Sequence, residues 1–128
     1  MSYPANFRYT DSHEWVSVDG NVATCGITHH AQDALGDIVH VELPAVGKVV
    51  KKGAGAAEVE SVKAVSDIYA PVSGKVVAVN ETLDGNESVV NKDPHGGGWL
   101  FKIELSDADE LEGLLDAAGY EAIEGAGH

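Results

Sequence analysis

The sequence predicts a mainly β protein, a sandwich or barrel of short antiparallel strands. Two short runs that contain apolar residues, 14–18 and 21–27, are joined by Asp19-Gly20, and Asp-Gly between two such runs is a strong β-hairpin signal. From Gly47 onward, glycine and proline turn signals recur at short intervals with valine-rich runs between them. This spacing is typical of sandwiches and barrels of short antiparallel strands.

A short helix and a strand are predicted to follow the first hairpin. Thr28 is a good N-cap for a helix over residues 29–35, and Gly36 can end that helix because glycine tolerates the left-handed conformation found there. Residues 38–43 read Ile-Val-His-Val-Glu-Leu and predict a strand. Pro44 stops this strand because proline has no N–H to donate to a ladder.

The end of the chain predicts one more strand and an amphipathic helix. Residues 99–105 form the strand, with apolar side chains on both faces. Apolar residues then recur at the spacing of one helix face: Leu111, Leu114, Leu115 and Ala118. We expect Ser106 to cap this helix and Gly119 to end it.

The chain length predicts a single domain over residues 1–128, with a core over about residues 7–123 and a frayed tail at 124–128. No apolar run approaches the roughly 20 residues that span a bilayer, and the N-terminus shows no signal or transit peptide pattern. The single cysteine, Cys25, fits a reducing compartment and lies in an apolar run, which indicates a buried structural thiol. We therefore expect a cytoplasmic protein.

The formal net charge of −13 excludes some classes of partner. Nucleic-acid binding needs clustered lysine and arginine, and anionic membrane surfaces repel an acidic chain for the same reason. Neither nucleic acid nor membrane is therefore an expected partner. Metal binding is not expected either, because the adjacent His29 and His30 point to different faces of the predicted helix.

A four-residue repeat flanks the centre of the chain. Gly-Lys-Val-Val occurs at residues 47–50 and again at 74–77, with Lys63 near the midpoint between the copies. Two similar β units would place the segment around Lys63 on a pseudo-symmetry axis. Four matching residues support this arrangement only weakly, because the same composition is common where strands begin.

Lys63 is the candidate functional residue. Residues 58–71 place apolar positions on both sides of it, and a hairpin over this run would expose Lys63 at its tip. The ε-amine of lysine is a good acyl acceptor once deprotonated, and its four-carbon stem can begin a long flexible arm. On this spacing alone, an ordinary exposed lysine kept for solubility remains the favoured interpretation.

Seven motifs in a fixed order, over roughly residues 7–123, resemble the H protein family of the glycine cleavage system. In chain order they are Ser12-His13-Glu14-Trp15-Val16; Gly26-Ile27-Thr28 with His30-Ala31-Gln32; Leu35-Gly36-Asp37-Ile38-Val39; Glu60-Ser61-Val62-Lys63-Ala64 with Ser66-Asp67; Ala70-Pro71-Val72-Ser73-Gly74; Asn91 with Asp93-Pro94 and Gly98-Trp99; and Leu114-Leu115 with Tyr120-Glu121. The chain departs from the family pattern at Glu87-Ser88-Val89 and at His95, both in a loop-rich stretch.

The resemblance implies a fold and a cofactor. The fold is a lipoyl/biotinyl-carrier-like barrel-sandwich hybrid of short antiparallel strands, with a short helix in the N-terminal half and a C-terminal helix. Lys63 is implied to carry lipoate as an amide. The residues implied to form the hairpin context for the attached lipoate are Glu60, Ser61, Val62, Ala64 and Asp67.

The resemblance also implies a carrier and not an enzyme, with no catalytic residues of its own. A swinging arm on Lys63 would take an aminomethyl group from a pyridoxal-phosphate glycine decarboxylase to an aminomethyltransferase. Dihydrolipoamide dehydrogenase would then reoxidise the arm, and a lipoate ligase or lipoyl transferase would attach it. The loaded arm is implied to fold into a surface cleft lined by Ser12, Glu14 and Asp67, although each could equally be an ordinary strand or turn residue.

Four alternatives remain open on the sequence. An H-like protein that relays lipoate to other enzyme complexes would need the same lysine. Biotin carriers usually have Met-Lys-Met, whereas this chain has Val62-Lys63-Ala64. A lipoyl domain of a 2-oxoacid dehydrogenase would be shorter and followed by an Ala/Pro-rich linker. An unmodified enzyme or inhibitor on this scaffold would lack any evident nucleophile–base motif.

Overall fold

Two antiparallel sheets form the body of the protein in a computed structural model that describes residues 7–10 and 12–125. The strands, in chain order, are β1 (Arg8–Tyr9), β2 (Glu14–Asp19), β3 (Val22–Ile27), β4 (Ile38–Glu42), β5 (Val49–Val50), β6 (Gly55–Ser61), β7 (Val65–Tyr69), β8 (Gly74–Val79) and β9 (Phe101–Leu105). The α-helices are α1 (His29–Leu35), α2 (Val89–Lys92) and α3 (Ala117–Gly125). The larger sheet has the order β1-β2-β3-β9-β8-β5, and the smaller has the order β4-β6-β7. The expected sandwich of short antiparallel strands is confirmed.

The first hairpin and helix form where the sequence places them. Strands β2 and β3 pair across Asp19-Gly20, and Gly20 has the positive φ of 63° that this tight turn requires. The Thr28 side chain caps α1 by accepting a hydrogen bond from the backbone N–H of Ala31 at 3.2 Å. Gly36 follows α1 with a φ of 82° and donates its N–H to the Gln32 carbonyl.

The main core lies between the two sheets. Its buried side chains come from both, with Val16 and Phe101 from the larger sheet and Val59 and Ile68 from the smaller. A second cluster joins the buried aromatic rings of Tyr9, Trp15 and Tyr120. Burying each such ring contributes about 1.5–3 kcal/mol of hydrophobic stabilisation, so the second cluster holds α3 against β1.

The two copies of the Gly-Lys-Val-Val repeat pair with each other. Val49 of β5 lies opposite Lys75 of β8 in an antiparallel ladder. The Gly47 N–H donates to the Val76 carbonyl at 2.7 Å, and the Val76 N–H donates to the Lys48 carbonyl at 2.8 Å. The β6–β7 hairpin lies midway along the chain between these paired copies.

The C-terminal segment differs from the single helix predicted over the apolar stripe. A 3₁₀ helix spans Ala108–Gly113, and α3 begins only at Ala117. Leu115 between them is extended, because its backbone exchanges two hydrogen bonds of 2.8 Å with Tyr9. This pairing interrupts the stripe that suggested one continuous helix.

The predicted ends of that helix are also corrected. Asp107, not Ser106, caps the 3₁₀ helix, and its carboxylate accepts the N–H of Asp109 at 3.0 Å. Gly119 lies within α3, where its N–H donates to the Asp116 carboxylate at 2.7 Å. Of the expected frayed tail, residues 126–128 lie outside the described residues and 124–125 belong to α3.

The last strand is shorter than the predicted run of residues 99–105. It begins at Phe101, because the Trp99 carbonyl accepts a hydrogen bond of 2.9 Å from the Asn80 side-chain amide instead of from a neighbouring strand. The strand over residues 38–43 likewise ends one residue early, at Glu42.

Candidate functional site

Lys63 lies exposed at the tip of the β6–β7 hairpin. Ser61 closes the turn: its backbone N–H donates to the Ala64 carbonyl at 2.8 Å, and its hydroxyl donates to the same carbonyl at 3.2 Å. The Ser61 hydroxyl oxygen also accepts the N–H groups of Lys63, at 3.3 Å, and of Ala64, at 3.1 Å. Ser61 therefore fixes the backbone beneath an exposed lysine side chain. Beside it, Val62 leaves 69% of its surface exposed.

The hairpin tip is tied to the segment that follows α1. The Val62 N–H donates to the Asp37 carbonyl at 3.1 Å. The Lys63 stem passes close to Gly36, where an added Cβ would lie 3.6 Å from the Lys63 Cε. The outer end of the lysine stem therefore lies beside the residue that follows α1.

Asn91 of α2 fixes the segment that follows α1, beside which the lysine stem lies. Its side-chain oxygen accepts the Ile38 N–H at 2.9 Å, and its side-chain nitrogen donates to the Gly36 carbonyl at 2.9 Å and to the Gln32 amide oxygen at 3.0 Å. One amide thus satisfies three groups, from α1, from the residue that follows it and from β4. This network makes the hairpin tip a rigid base for a flexible side chain.

A cavity of about 260 Å³, which we call the α1–β7 cavity, lies beside the hairpin. Its lining comes from the loop before β2, from the end of β3, from α1 and from β7: Ser12, His13, Ile27, His30, Ala31, Ala34, Leu35, Ser66 and Ile68. Leu35 immediately precedes Gly36, and Ser66 follows Lys63 by three residues. Two residues that line this mainly apolar cavity are therefore close along the chain to Gly36 and to Lys63.

Glu14 is a buried carboxylate next to this cavity, with 1% of its surface exposed. The hydroxyl groups of Thr10 and Ser12 both donate to its Oε1, the latter at 3.1 Å. The Tyr69 N–H donates to its Oε2 at 3.3 Å. Such donors offset the cost of burying a carboxylate. Ser12 and Glu14 also share a second cavity of about 130 Å³.

The structure brings Ser12 and Glu14 together, and Asp67 is not among the residues that line the two cavities. Along β7, Ser66 and Ile68 line the α1–β7 cavity, and Asp67 between them faces the opposite side because strand side chains alternate. Asp67 pairs with Glu58 and lines an open groove that also includes Lys48. By the same alternation Tyr69 shares the face of Asp67 and lines the smaller cavity with Ser12 and Glu14, so the expectation that Ser12, Glu14 and Asp67 line one cleft stays a prediction.

The sequence reasoning missed most of the cavity wall. The α1 side of the wall presents Ala31, Ala34 and Leu35. Residues 34 and 35 lie three and four positions after residue 31, so this spacing of small and apolar residues on one helix face could have indicated the wall. His13 of the cavity wall precedes β2 and has a φ of 72°, which no pattern in the sequence indicated.

Cys25 is buried, as expected of a structural thiol. Burial raises the pKa of this thiol well above its ordinary range, and the Glu14 carboxylate adds to the effect. The thiolate is therefore disfavoured, which leaves Cys25 unreactive. Within residues 7–10 and 12–125, no group of three or more metal-ligating side chains is placed to hold a metal ion. None of the described helices is long and apolar enough to cross a membrane.

His95 holds the start of α1 and lies where the chain departs from the family pattern. Its Nε2 accepts the His29 N–H at 3.0 Å, which requires that nitrogen to be unprotonated. Burial lowers the pKa of His95, the nearby His29 lowers it further, and Asp93 opposes both. The folded protein therefore favours the neutral imidazole.

We expect this lowered pKa to make the protein less stable as the pH falls. Below about pH 6.5 the unfolded chain protonates His95 before the folded chain does, so protons pull the equilibrium toward unfolding. Urea unfolding between pH 7 and pH 5 should show a steeper loss of stability for the wild type than for His95→Gln, which retains an acceptor but does not titrate. Parallel pH profiles for the two proteins would contradict this expectation.

Comparison with known proteins decides the family. The family model described as Glycine cleavage H-protein matches residues 7–125. The chain belongs to the glycine cleavage H-protein family. This assignment confirms the family and the general role predicted from the sequence, a carrier of the glycine cleavage system.

Individual glycine cleavage H proteins match over nearly their whole length. The protein of Thermotoga maritima is 60% identical over 89% of this chain and 92% of its own. That of Acidobacterium capsulatum is 58% identical over 100% of both chains. The crystal structure of the Mycobacterium marinum protein superposes with a TM-score of 0.89 at 38% identity, covering 96% of this chain and 99% of that one.

Proposed function

We propose that Lys63 carries lipoate as an amide and that this chain shuttles its substrate group on the resulting arm. The arm takes an aminomethyl group from glycine decarboxylase to the aminomethyltransferase and brings reducing equivalents to dihydrolipoamide dehydrogenase. The observation that carries the proposal is Lys63 itself, exposed on a hydrogen-bonded hairpin tip whose strand β7 lines a mainly apolar cavity. The chain acts as a substrate shared by its partners and not as a catalyst.

The residues present fit such a cofactor. The Lys63 ε-amine is accessible for acylation, and the turn below it is fixed by Ser61. Attached lipoate supplies a dithiolane that accepts the aminomethyl group. The apolar lining of the α1–β7 cavity can exclude water from a folded-back arm, and Glu14 offers a carboxylate near Ser12 for a cationic amine.

The surface around Lys63 supports docking of several enzymes at one place. The three partners and the lipoate ligase or lipoyl transferase must all reach the same lysine. The smaller sheet presents a cross-strand row of carboxylates, with Glu42 opposite Glu58 and Glu58 opposite Asp67. Such a row favours approach by basic surfaces, in line with the net charge of −13. The compartment in which we propose that the chain acts is the cytoplasm.

Intact mass spectrometry of the protein from its native host, with fragmentation to locate any added mass, tests this proposal. We expect a lipoyl adduct on Lys63. A biotin adduct at that residue would instead indicate a biotin carrier that serves a carboxylase. An unmodified Lys63, in a host whose other lipoyl proteins are modified, would contradict the proposal.

A further inference from the structure

The hydroxyl of Tyr120 connects the C-terminal helix to two segments at the α1–β7 cavity. Tyr120 of α3 is completely buried. Its hydroxyl oxygen lies 2.6 Å from Nδ1 of His13 and 2.7 Å from Oγ1 of Thr28. His13 lines the cavity, and Thr28 caps the helix whose residues form the cavity's α1 wall. One hydroxyl therefore contacts both segments.

His13 and Thr28 also bind each other directly. The Thr28 N–H donates to the His13 carbonyl at 3.0 Å. His13 adopts a φ of 72°, and a non-glycine residue in this left-handed region is held there by its surroundings. Its ring lies 4.7 Å from that of His30, which lines the same cavity. Tyr120, His13 and Thr28 thus contact one another pairwise, and these contacts fix the strained backbone of His13 on the cavity wall.

We propose that Tyr120 is a positioning residue for the arm of Lys63. Its hydroxyl holds His13 and the first turn of α1 in the arrangement that lets the α1–β7 cavity receive the arm, so α3 controls how tightly the arm docks. The inference rests on the proposed function, because it assumes an arm on Lys63. Tyr120 itself does not line the cavity and acts through His13 and Thr28.

Tyr120→Phe tests the proposal because it removes the hydroxyl and keeps the ring that stacks on Tyr9 at 5.0 Å. In the unmodified protein, residue-resolved hydrogen exchange should show the amide protons of Thr28 and Ala31 exchanging roughly three- to tenfold faster, as expected for the loss of a buried hydrogen bond. Thr28→Ser, which retains a hydroxyl, should exchange as the wild type does.

The docked arm gives a second readout. In protein loaded with the aminomethyl group and separated from its partners, water slowly replaces that group: R–S–CH₂–NH₃⁺ + H₂O gives R–SH, formaldehyde and NH₄⁺. Intact mass should show this loss to be roughly three- to tenfold faster in Tyr120→Phe, because a looser cavity protects the arm less.

Tyr9→Phe is the matched control, since it removes the hydroxyl from the other ring of the same stack. We expect its aminomethyl loss to match the wild type. Equal acceleration in both variants would overturn the proposal, because the effect would then reflect packing of α3 alone. Faster exchange in Tyr120→Phe with unchanged aminomethyl loss would also overturn it. An unmodified Lys63 in all the proteins would instead show that the proposed function itself fails.

Discussion

Replacing Lys63 by arginine should abolish glycine cleavage while leaving the fold intact. Arginine keeps the positive charge, but its guanidinium stays protonated and cannot accept the lipoyl group as the lysine amine does. Because residue 63 is exposed at the hairpin tip and only its backbone N–H bonds to Ser61, the free energy of unfolding should change by no more than about 0.5 kcal/mol. Reconstitution with the three partner enzymes, together with urea unfolding, measures both quantities.

Lys75→Arg is the matched control for this substitution. Lys75 is also an exposed lysine, but it lies on β8 in the other sheet. We expect this variant to be lipoylated and to support cleavage at the wild-type rate. Retained glycine cleavage in Lys63→Arg would rule out a swinging arm on this residue. Lost glycine cleavage in Lys75→Arg would show that replacing an exposed lysine can abolish activity without removing the attachment site.

Local signals in the sequence were sufficient to predict the hairpin and the short helix. Asp19-Gly20, Thr28 and Gly36 act on backbone within a few residues of themselves, so their effect does not depend on the rest of the fold. The exposure of Lys63 followed in the same way from the apolar positions around it. These elements form as expected because local preference and tertiary structure agree.

Contacts between distant segments could not be read from the sequence in this way. The helical stripe near the C-terminus failed because Leu115 pairs with Tyr9, more than a hundred residues earlier. Asp67 was grouped with Ser12 by family resemblance, and whether the two share a cleft depends on how β7 packs against the loop before β2. The Tyr120 contacts with His13 and Thr28 depend on where α3 docks. Such pairings need the assembled sheets, and no local pattern encodes them.

Gly74→Ala should destabilise the protein by about 3 kcal/mol or more, although Gly74 belongs to one of the motifs shared with the family. Gly74 begins β8, between Val50 of β5 and Leu105 of β9. A Cβ at this position would lie 2.0 Å from the Glu104 carbonyl oxygen and 2.6 Å from the Ile103 Cγ2. The backbone of β9 cannot move away without breaking its ladder, so the strands must separate or distort.

Gly55→Ala provides the comparison, because Gly55 also begins a strand but a Cβ there would meet nothing within 4 Å. Its free energy of unfolding should stay within about 0.5 kcal/mol of the wild type in urea unfolding followed by tryptophan fluorescence. Similar stabilities for the two variants would mean that β9 adapts to the added methyl group. If the expected difference is found, Gly74 belongs to the shared family motifs because the fold needs a glycine there. Lys63, in contrast, belongs to them because of the proposed chemistry of its side chain.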